Sequence, residues 1–367
     1  MAVSTIDPNG LNIGQIGGTR NKVINGGMVI DQRNAGAAVT VNNTSDVYTL
    51  DRYGAYGQAT DGVFTVSRST QAPQGFINSA LITVTTADAS IGASQFYGFY
   101  QKIEGYNIAD LGWGTANAST VTLSFWVRSS VTGTFGGALR NGAFDRSYPF
   151  SYTINSADTW EEKTVVIAGD TSGTWATDNT TGVLVGWSIG DGSSRLSAAG
   201  VWAAGNFAGA TGQTNLIATN GATFYITGVQ LEAGDTATPF EHRSYGQELA
   251  LCQRYYYKLF PGAVSAVFGP AYSFSTTGAQ AVIPYPVTMR IAPTALEQSG
   301  TANHYDVVSG ALNVTCSAVP THGASTTNYT ATVNATVSSG LTNGYGGLLR
   351  ADATNGANAY LGWSAEL

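Results

Sequence analysis

Val121-Thr122-Leu123-Ser124-Phe125-Trp126-Val127-Arg128 decides the fold class. Val121, Leu123, Phe125 and Val127 fall on one side of an extended chain, and Thr122, Ser124, Trp126 and Arg128 on the other. A period of two is the mark of a strand with one buried face. The pattern recurs on both sides of this stretch. Val183, Val185, Trp187 and Ile189 alternate with Leu184, Gly186 and Ser188, and Tyr329, Ala331, Val333, Ala335 and Val337 alternate with Thr330, Thr332, Asn334, Thr336 and Ser338. Asn-Gly, the favoured pair of tight hairpin turns, punctuates the chain at Asn25-Gly26, Asn141-Gly142, Asn220-Gly221, Asn343-Gly344 and Asn355-Gly356. Short strands between frequent turns predict an all-β chain built as an antiparallel jelly roll or β-sandwich.

Composition narrows the function classes. The chain has 367 residues, long enough for two or three folded units. Only 11% of residues are charged, against about 25% in an ordinary soluble domain, and 46 are glycine. Such a surface is neutral and hydrogen-bonding, and it suits dense packing in an assembly. A formal charge of −7 and 16 scattered basic residues exclude nucleic acid as the expected partner. No apolar run approaches the roughly 18 residues of a membrane span, so membrane insertion is not expected. The first residues lack a charged segment followed by an apolar one, which predicts synthesis in the cytoplasm without a signal peptide. Cys252 and Cys316 read as buried thiols.

One segment departs from the strand rhythm. Ser244-Tyr-Gly-Gln247 resembles a capping box, and the residues after it predict a helix running to about Lys258, before Pro261-Gly262. Tyr245, Leu249, Cys252 and Tyr256 would form one apolar stripe, either packed on the chain's own sheet or forming a short seam between copies. The expected map is an N-terminal arm at 1–20, a jelly roll at 21–240, a joining helix at 241–258 and a second, C-terminal β domain at 259–367. Leu361, Trp363, Ala365 and Leu367 keep the two-residue period, which places the last residues in a sheet.

Several blocks, in order, resemble a known family. They are Val23-Ile-Asn-Gly-Gly-Met-Val-Ile-Asp-Gln-Arg33, Tyr48-Thr-Leu-Asp-Arg-Tyr53, Leu123-Ser-Phe-Trp-Val-Arg-Ser129, Trp160-Glu-Glu-Lys-Thr-Val165, Gly209-Ala-Thr-Gly-Gln-Thr-Asn-Leu216 and Phe224-Tyr-Ile-Thr-Gly-Val-Gln-Leu-Glu-Ala-Gly234. Thr238-Pro-Phe-Glu-His-Arg243 and Glu248-Leu-Ala-Leu-Cys-Gln-Arg-Tyr-Tyr256 follow. Together they are similar to bacteriophage and prophage tail-fibre or virion structural proteins. That resemblance implies a jelly roll like a carbohydrate-binding module, a variable C-terminal domain, a homotrimer, and an N-terminal arm that attaches to other virion proteins. It supplies no catalytic residues.

Gly186-Trp-Ser-Ile-Gly190 matches the pattern of a hydrolase nucleophile elbow but lies inside a strand rhythm, so Ser188 reads as a strand residue. His304 and Asp306 would share a strand face without a nucleophile beside them. Asp170, Asp178 and Asp191 lie in polar stretches and offer oxygen ligands for calcium, but no dense loop motif gathers them, and no metal or other cofactor is expected. Glu161 and Glu162, adjacent on a strand, point to opposite faces and do not make a glycosidase pair. Tyr148, Phe150 and Tyr152 read as core. Aromatic rings that stack on sugars are the better lead. Trp126 stands among Thr122, Ser124 and Arg128, where it is either a sugar platform or covered core. Trp113 and Trp202 lie in Gly-rich stretches, and with Trp126 and Arg128 they complete the set of glycan-binding candidates.

The expected function is therefore a non-enzymatic component of a virion, a fibre or surface-exposed protein that attaches to host-surface polysaccharide. The alternatives are a purely architectural head- or tail-decorating protein without ligand, and a tailspike polysaccharide depolymerase.

Overall fold

The computed structural model describes residues 20–58, 61–310 and 312–367. The expected N-terminal arm, apart from Arg20, lies outside the described residues. The chain divides into two compact units, at Tyr245 and Gly246.

In the first unit the strands are, in order, β1 (Val39–Val41), β2 (Thr44–Tyr48), β3 (Tyr53–Gly57), β4 (Val63–Ser69), β5 (Ser79–Thr86), β6 (Phe96–Glu104), β7 (Val121–Ser129) and β8 (Gly133–Asn141). They continue as β9 (Arg146–Ile154), β10 (Glu161–Ile167), β11 (Thr181–Asp191), β12 (Leu196–Ser197), β13 (Ala203–Ala204), β14 (Gly209–Ala210) and β15 (Thr223–Ala233). Two antiparallel sheets result, a six-stranded one ordered β1-β4-β5-β15-β7-β10 and a seven-stranded one ordered β13-β9-β8-β11-β6-β3-β2. This is an all-β sandwich of the jelly-roll type. Val121, Leu123, Phe125 and Val127 are buried to 0% exposure, as their alternation predicts. Across the core Phe125 of the six-stranded sheet meets Trp187 and Tyr152 of the other at 5.6 and 5.1 Å between ring centroids. Phe135 of the seven-stranded sheet likewise stacks on Phe224 at 6.0 Å. Tyr148, Phe150 and Tyr152 are core residues, as expected.

The Asn-Gly pairs do less uniform work than their sequence suggests. Asn25-Gly26 joins no hairpin. Asn25 is itself left-handed at φ 59°, and its buried amide donates to the carbonyls of Ile30 (2.8 Å) and Asp51 (3.0 Å). Gly26 is there because the Val229 carbonyl oxygen stands 2.2 Å from where a Cβ would sit. Asn141-Gly142 does turn a hairpin, between β8 and β9, but through a longer loop whose left-handed residue is Phe144, at φ 56°. The Asn141 side-chain oxygen accepts from the backbone N–H groups of Asp145 and Arg146, both at 3.1 Å, which fixes that loop.

The second unit holds all but the first residue of helix α1 (Tyr245–Gln253), then β16 (Tyr256–Leu259), β17 (Val267–Ser273), β18 (Gly278–Pro284), β19 (Glu297–Gln298), β20 (Tyr305–Ser309), β21 (Leu312–His322), β22 (Thr330–Val337), β23 (Gly346–Ala351) and β24 (Leu361–Ser364). Six of them close a barrel, β17-β18-β22-β21-β20-β23, which leaves no edge for further pairing. The remaining three form the sheet β16-β24-β19, where Trp363 is fully buried against Tyr257 and Tyr285. Of the predicted alternation near the end, Ala331, Val333, Ala335 and Val337 are buried, whereas Tyr329 precedes its strand and is exposed.

The helix is shorter than the sequence predicts, ending at Gln253 and not near Lys258. The N–H of Tyr255 turns back to the Cys252 carbonyl (2.9 Å), and Tyr256 then pairs with Ser364 as the first residue of β16. A run of three tyrosines favours a pleated, half-buried surface over a helix, and a partner strand is available. The four-residue stripe is thus broken. Tyr245 is exposed, Leu249 half-buried, Cys252 buried, and Tyr256 is not on the helix. Cys252 and Cys316 are both buried thiols.

Candidate functional site

The arrangement most suited to bind a ligand lies on the outer face of the seven-stranded sheet, turned away from the sandwich core. Two aromatic strands create it. In β6, Tyr97, Phe99 and Ile103 face the core, which puts Phe96, Gly98, Tyr100 and Lys102 outside. In β3, Tyr53 and Ala55 face the core, and Gly54 and Tyr56 face out. The register pairs Tyr56 with Gly98 and Gly54 with Tyr100. Each tyrosine therefore lies across a glycine of the neighbouring strand. A Cβ on Gly98 would stand 2.4 Å from Tyr56 Cζ, and one on Gly54 would stand 2.4 Å from Tyr100 Cζ. The floor continues with small residues, since Gly186 of β11 pairs with Tyr100 on one side and Ala138 of β8 on the other.

Above this floor is a cavity of about 300 Å³, at the small end of ligand pockets. Tyr56 stacks on Tyr100 with centroids 5.5 Å apart and meets Phe96 at 4.8 Å. Leu184 and the half-buried Phe144 complete the apolar lining. Polar groups converge on the same space. Arg140 is only 3% exposed. It donates from Nη1 to Asn206 Oδ1 (2.9 Å) and from Nη2 to the Tyr56 hydroxyl (3.2 Å). Its guanidinium carbon lies 5.6 Å from the Tyr56 ring centroid and 5.2 Å from that of Phe144. Arg195 lies over Phe96 at 4.4 Å. Lys102 pairs with Asp46 at 2.7 Å on the rim. The Tyr100 hydroxyl is buried and has no hydrogen-bond partner among the described residues.

Behind this wall sits Asp191, 2% exposed, at the end of β11. Burial pushes its carboxyl up to about 6, against the opposing pull of Ser188, Gln213, Arg140 and Arg195. Gln213 holds the network together, donating from Nε2 to Ser188 Oγ (2.5 Å) and to Asp191 Oδ2 (3.2 Å). Ser188 is therefore a strand residue tied to an amide, and the Gly186–Gly190 motif forms no exposed nucleophile turn. Burial also raises the Tyr56 hydroxyl, so it stays protonated and can donate to a ligand.

The four glycan-binding candidates taken from the sequence fall into two separate pairs, Trp113 with Trp202 and Trp126 with Arg128, and none lines this cavity. Trp113 is core, 6% exposed, with Trp175 and Trp202 packed edge-on at 4.7 and 5.5 Å. Its indole N–H donates to Ser119 O (2.8 Å), and that of Trp202 donates to Ala168 O (2.7 Å). Trp113 is thus covered, whereas Trp202 packs on the core only in part and stays half-buried. Trp126 and Arg128 lie on the outer face of the six-stranded sheet, away from the cavity. Trp126 is half-buried against Gly228, while Thr122 and Ser124, its expected polar surroundings, are themselves buried. Arg128 is engaged by Gln71 (2.6 Å), Asp158 (3.3 Å) and the ring of Tyr225 (5.2 Å).

The other charged candidates are dispersed. Asp170 accepts both Nε and Nη2 of Arg146 (2.8 and 2.7 Å), Asp178 caps the backbone of Thr180 (2.9 Å), and Asp191 is enclosed as described. His304 lies in a short 3-10 turn with Nδ1 2.8 Å from Ser299 Oγ, whereas Asp306 lies in β20 and accepts from Arg350 (3.2 Å). Glu161 closes the turn before β10, and Glu162 is exposed on the opposite face. Sequence reasoning passed over Tyr56, Phe96, Tyr100 and Arg140. The available signal was the pair of strings Tyr53-Gly-Ala-Tyr-Gly57 and Phe96-Tyr-Gly-Phe-Tyr100, where aromatics occupy both faces and glycines make room for them.

No family model matches the chain, and no curated protein matches it. Among solved structures, it is similar to the enzymatically active domain of tailspike protein 4 of bacteriophage CBA120, with 14% identity over 58% of this chain and 21% of that one (TM-score 0.30). The chain thus spans about a fifth of that tailspike domain. It is also similar to a putative sugar-binding protein from Bacteroides thetaiotaomicron, 13% identical over 59% of this chain and 100% of that one (TM-score 0.31). A third is the family 11 carbohydrate-binding module from Clostridium thermocellum in complex with a β-1,3-1,4-mixed-linked tetrasaccharide, 11% identical over 57% of this chain and 100% of that one (TM-score 0.27).

Proposed function

We propose that the protein is a non-enzymatic, glycan-binding structural component of a bacteriophage particle, and that the outer face of its seven-stranded sheet holds the sugar. The observation that carries the glycan reading is the cavity of about 300 Å³ between Tyr56, Phe96, Tyr100 and Arg140. Sugars present C–H faces that pack on aromatic rings and hydroxyls that seek fixed donors and acceptors. Tyrosine rings, a guanidinium and the Asn206 amide supply both within one enclosure. The non-enzymatic part is supported by Glu161 and Glu162, the one adjacent carboxylate pair weighed from the sequence, which serve a turn and a solvent face. The virion part rests on the ordered blocks between residues 21 and 258, and a homotrimer and host-surface attachment follow from the same resemblance. The low charge fits a protein packed among many copies of its neighbours.

Binding of the full chain to a glycan array, followed by titration calorimetry, tests the sugar site. Phe144→Gly is the informative variant, because it removes one wall of the cavity at a residue whose φ of 56° glycine accepts readily. Its expected effect is at least tenfold weaker binding with unchanged thermal stability. Wild-type affinity in this variant, or no glycan bound by the parent chain, would overturn the assignment. Steady release of oligosaccharide from host polysaccharide would overturn the non-enzymatic part.

A further inference from the structure

We infer that the sugar held in this cavity carries a carboxylate, so that the ligand class is an acidic, uronate-containing polysaccharide; this rests on the glycan reading above. Arg140 is 3% exposed and makes no ion pair among the described residues, since both its partners, Asn206 Oδ1 and the Tyr56 hydroxyl, are neutral. A buried guanidinium without a contacting carboxylate is unfavourable, because hydration is lost and nothing of opposite charge replaces it. Arg195, on the far side of the Tyr56–Phe96 pair, also makes no ion pair among the described residues, and its one side-chain hydrogen bond among them is a long one, from Nε to Ser94 O at 3.4 Å. Of the other charges lining the cavity, Lys102 and Asp46 pair with each other. Asp191 offsets part of the field but is enclosed behind the wall and touches neither arginine by hydrogen bond.

Of the three cations that line the cavity, Arg140 and Arg195 are thus left without an ion pair among the described residues, on a chain whose formal charge is −7. A neutral sugar calls for hydrogen-bond donors but not for unpaired positive charge. Both arginines are suited to a planar carboxylate, which a guanidinium fork grips through two parallel hydrogen bonds. Aromatic floor and cationic wall together describe a sugar ring with an acid group at its edge.

The test is an array of polygalacturonate, alginate, hyaluronan and xanthan, each printed native and after carboxyl reduction, beside neutral β-glucan, xylan, galactan and mannan and a phosphate-bearing teichoic acid. The full chain is compared with Arg195→Gln, Arg195→Lys and Arg140→Gln, with melting temperatures recorded for all. The expected result is binding to one or more native uronate polymers, lost on carboxyl reduction. Arg195→Gln should weaken it at least tenfold and Arg195→Lys by less, both at unchanged melting temperature, because Arg195 is half-exposed. Equal binding before and after reduction, binding confined to neutral polymers, or binding confined to teichoic acid would each overturn the acidic-sugar assignment. The neutral result would leave the glycan reading standing, and silence across all the polysaccharides would remove both.

Discussion

Tyr56 lies flat across Gly98, with its ring so close that a Cβ on the glycine would be 2.4 Å from both Cζ and the hydroxyl oxygen. The hydroxyl is held at the far end by Arg140 at 3.2 Å. Ring position and cation position are thus set by one absent methyl group. Gly98→Ala forces the ring to lift, which breaks the Arg140 contact and narrows the cavity. Overpacking of this kind costs about 1–3 kcal/mol. We expect a modest fall in melting temperature and a loss of glycan binding larger than that of Phe144→Gly. A calorimetric titration on the folded variant that returned parental affinity would remove the cross-strand pair from the site.

Asp191 makes stability depend on pH within a definite window. Burial raises its carboxyl from the ordinary 3.8 to about 6, so the folded state holds its proton where the unfolded state has released it. The contribution is fully present below about pH 4 and is lost as the pH rises through about 6. A shift of this size corresponds to roughly 3 kcal/mol at most. Asp191→Asn keeps an acceptor for Gln213 and abolishes the titration. Denaturation of parent and variant at pH 4.5 and pH 7.5 should give a difference favouring the variant at the higher pH. A difference that does not change with pH would contradict this assignment.

How far the sequence discloses this molecule depends on which side of a strand carries the information. The core face of β7 was legible because Val121, Leu123, Phe125 and Val127 alternate with residues of another kind. In β6 the same rule has nothing to grip, since Phe96-Tyr97-Gly98-Phe99-Tyr100 is aromatic or glycine on both faces. A residue such as Trp126, standing among polar neighbours, looks like a platform on paper. Whether it is one depends on what packs over the sheet, and here the backbone of β15 at Gly228 comes up against it. The cavity was hidden for a further reason. Tyr56, Arg140 and Arg195 are distant in sequence, and only the strand order β8-β11-β6-β3 puts the first two on one sheet, where their side chains meet across two intervening strands. The early end of α1 is likewise decided at long range, by the pairing of Tyr256 with Ser364.

Glu161 shows the opposite pH behaviour to Asp191. Burial opposes its ionisation, but bonds from Lys163, from the backbone N–H groups of Ser156 and Asn155 and from the Asn155 amide outweigh it and hold the carboxyl down at about 2. The stability it contributes is present above the ordinary glutamate value of 4.5 and is lost as the pH falls through about 2. Removing a carboxylate that receives charged and backbone donors costs about 1–3 kcal/mol. Glu161→Ala should therefore lower the melting temperature at neutral pH, and the gap to the parent should close on acidification toward pH 2. A gap of constant size across that range would show that the turn does not depend on the charge.

The tryptophan cluster separates a structural role from a binding one. Trp113, Trp175 and Trp202 meet edge-on at 4.7 to 5.5 Å, and Tyr148 joins Trp202 at 5.2 Å. All three indole N–H groups donate to backbone carbonyls, of Ser119, Ser172 and Ala168. The rings spend their faces on each other and their polar atoms on the loops, which leaves Trp113 nothing to offer a sugar. Trp113→Ala opens a cavity in a close-packed cluster and should cost about 3–5 kcal/mol. Trp113→Phe keeps much of the volume and should cost less. For either variant that remains folded, calorimetric titration should return the parental glycan affinity. An affinity loss in Trp113→Phe at unchanged melting temperature would place a ligand at the tryptophans and draw the binding site away from Tyr56 and Arg140.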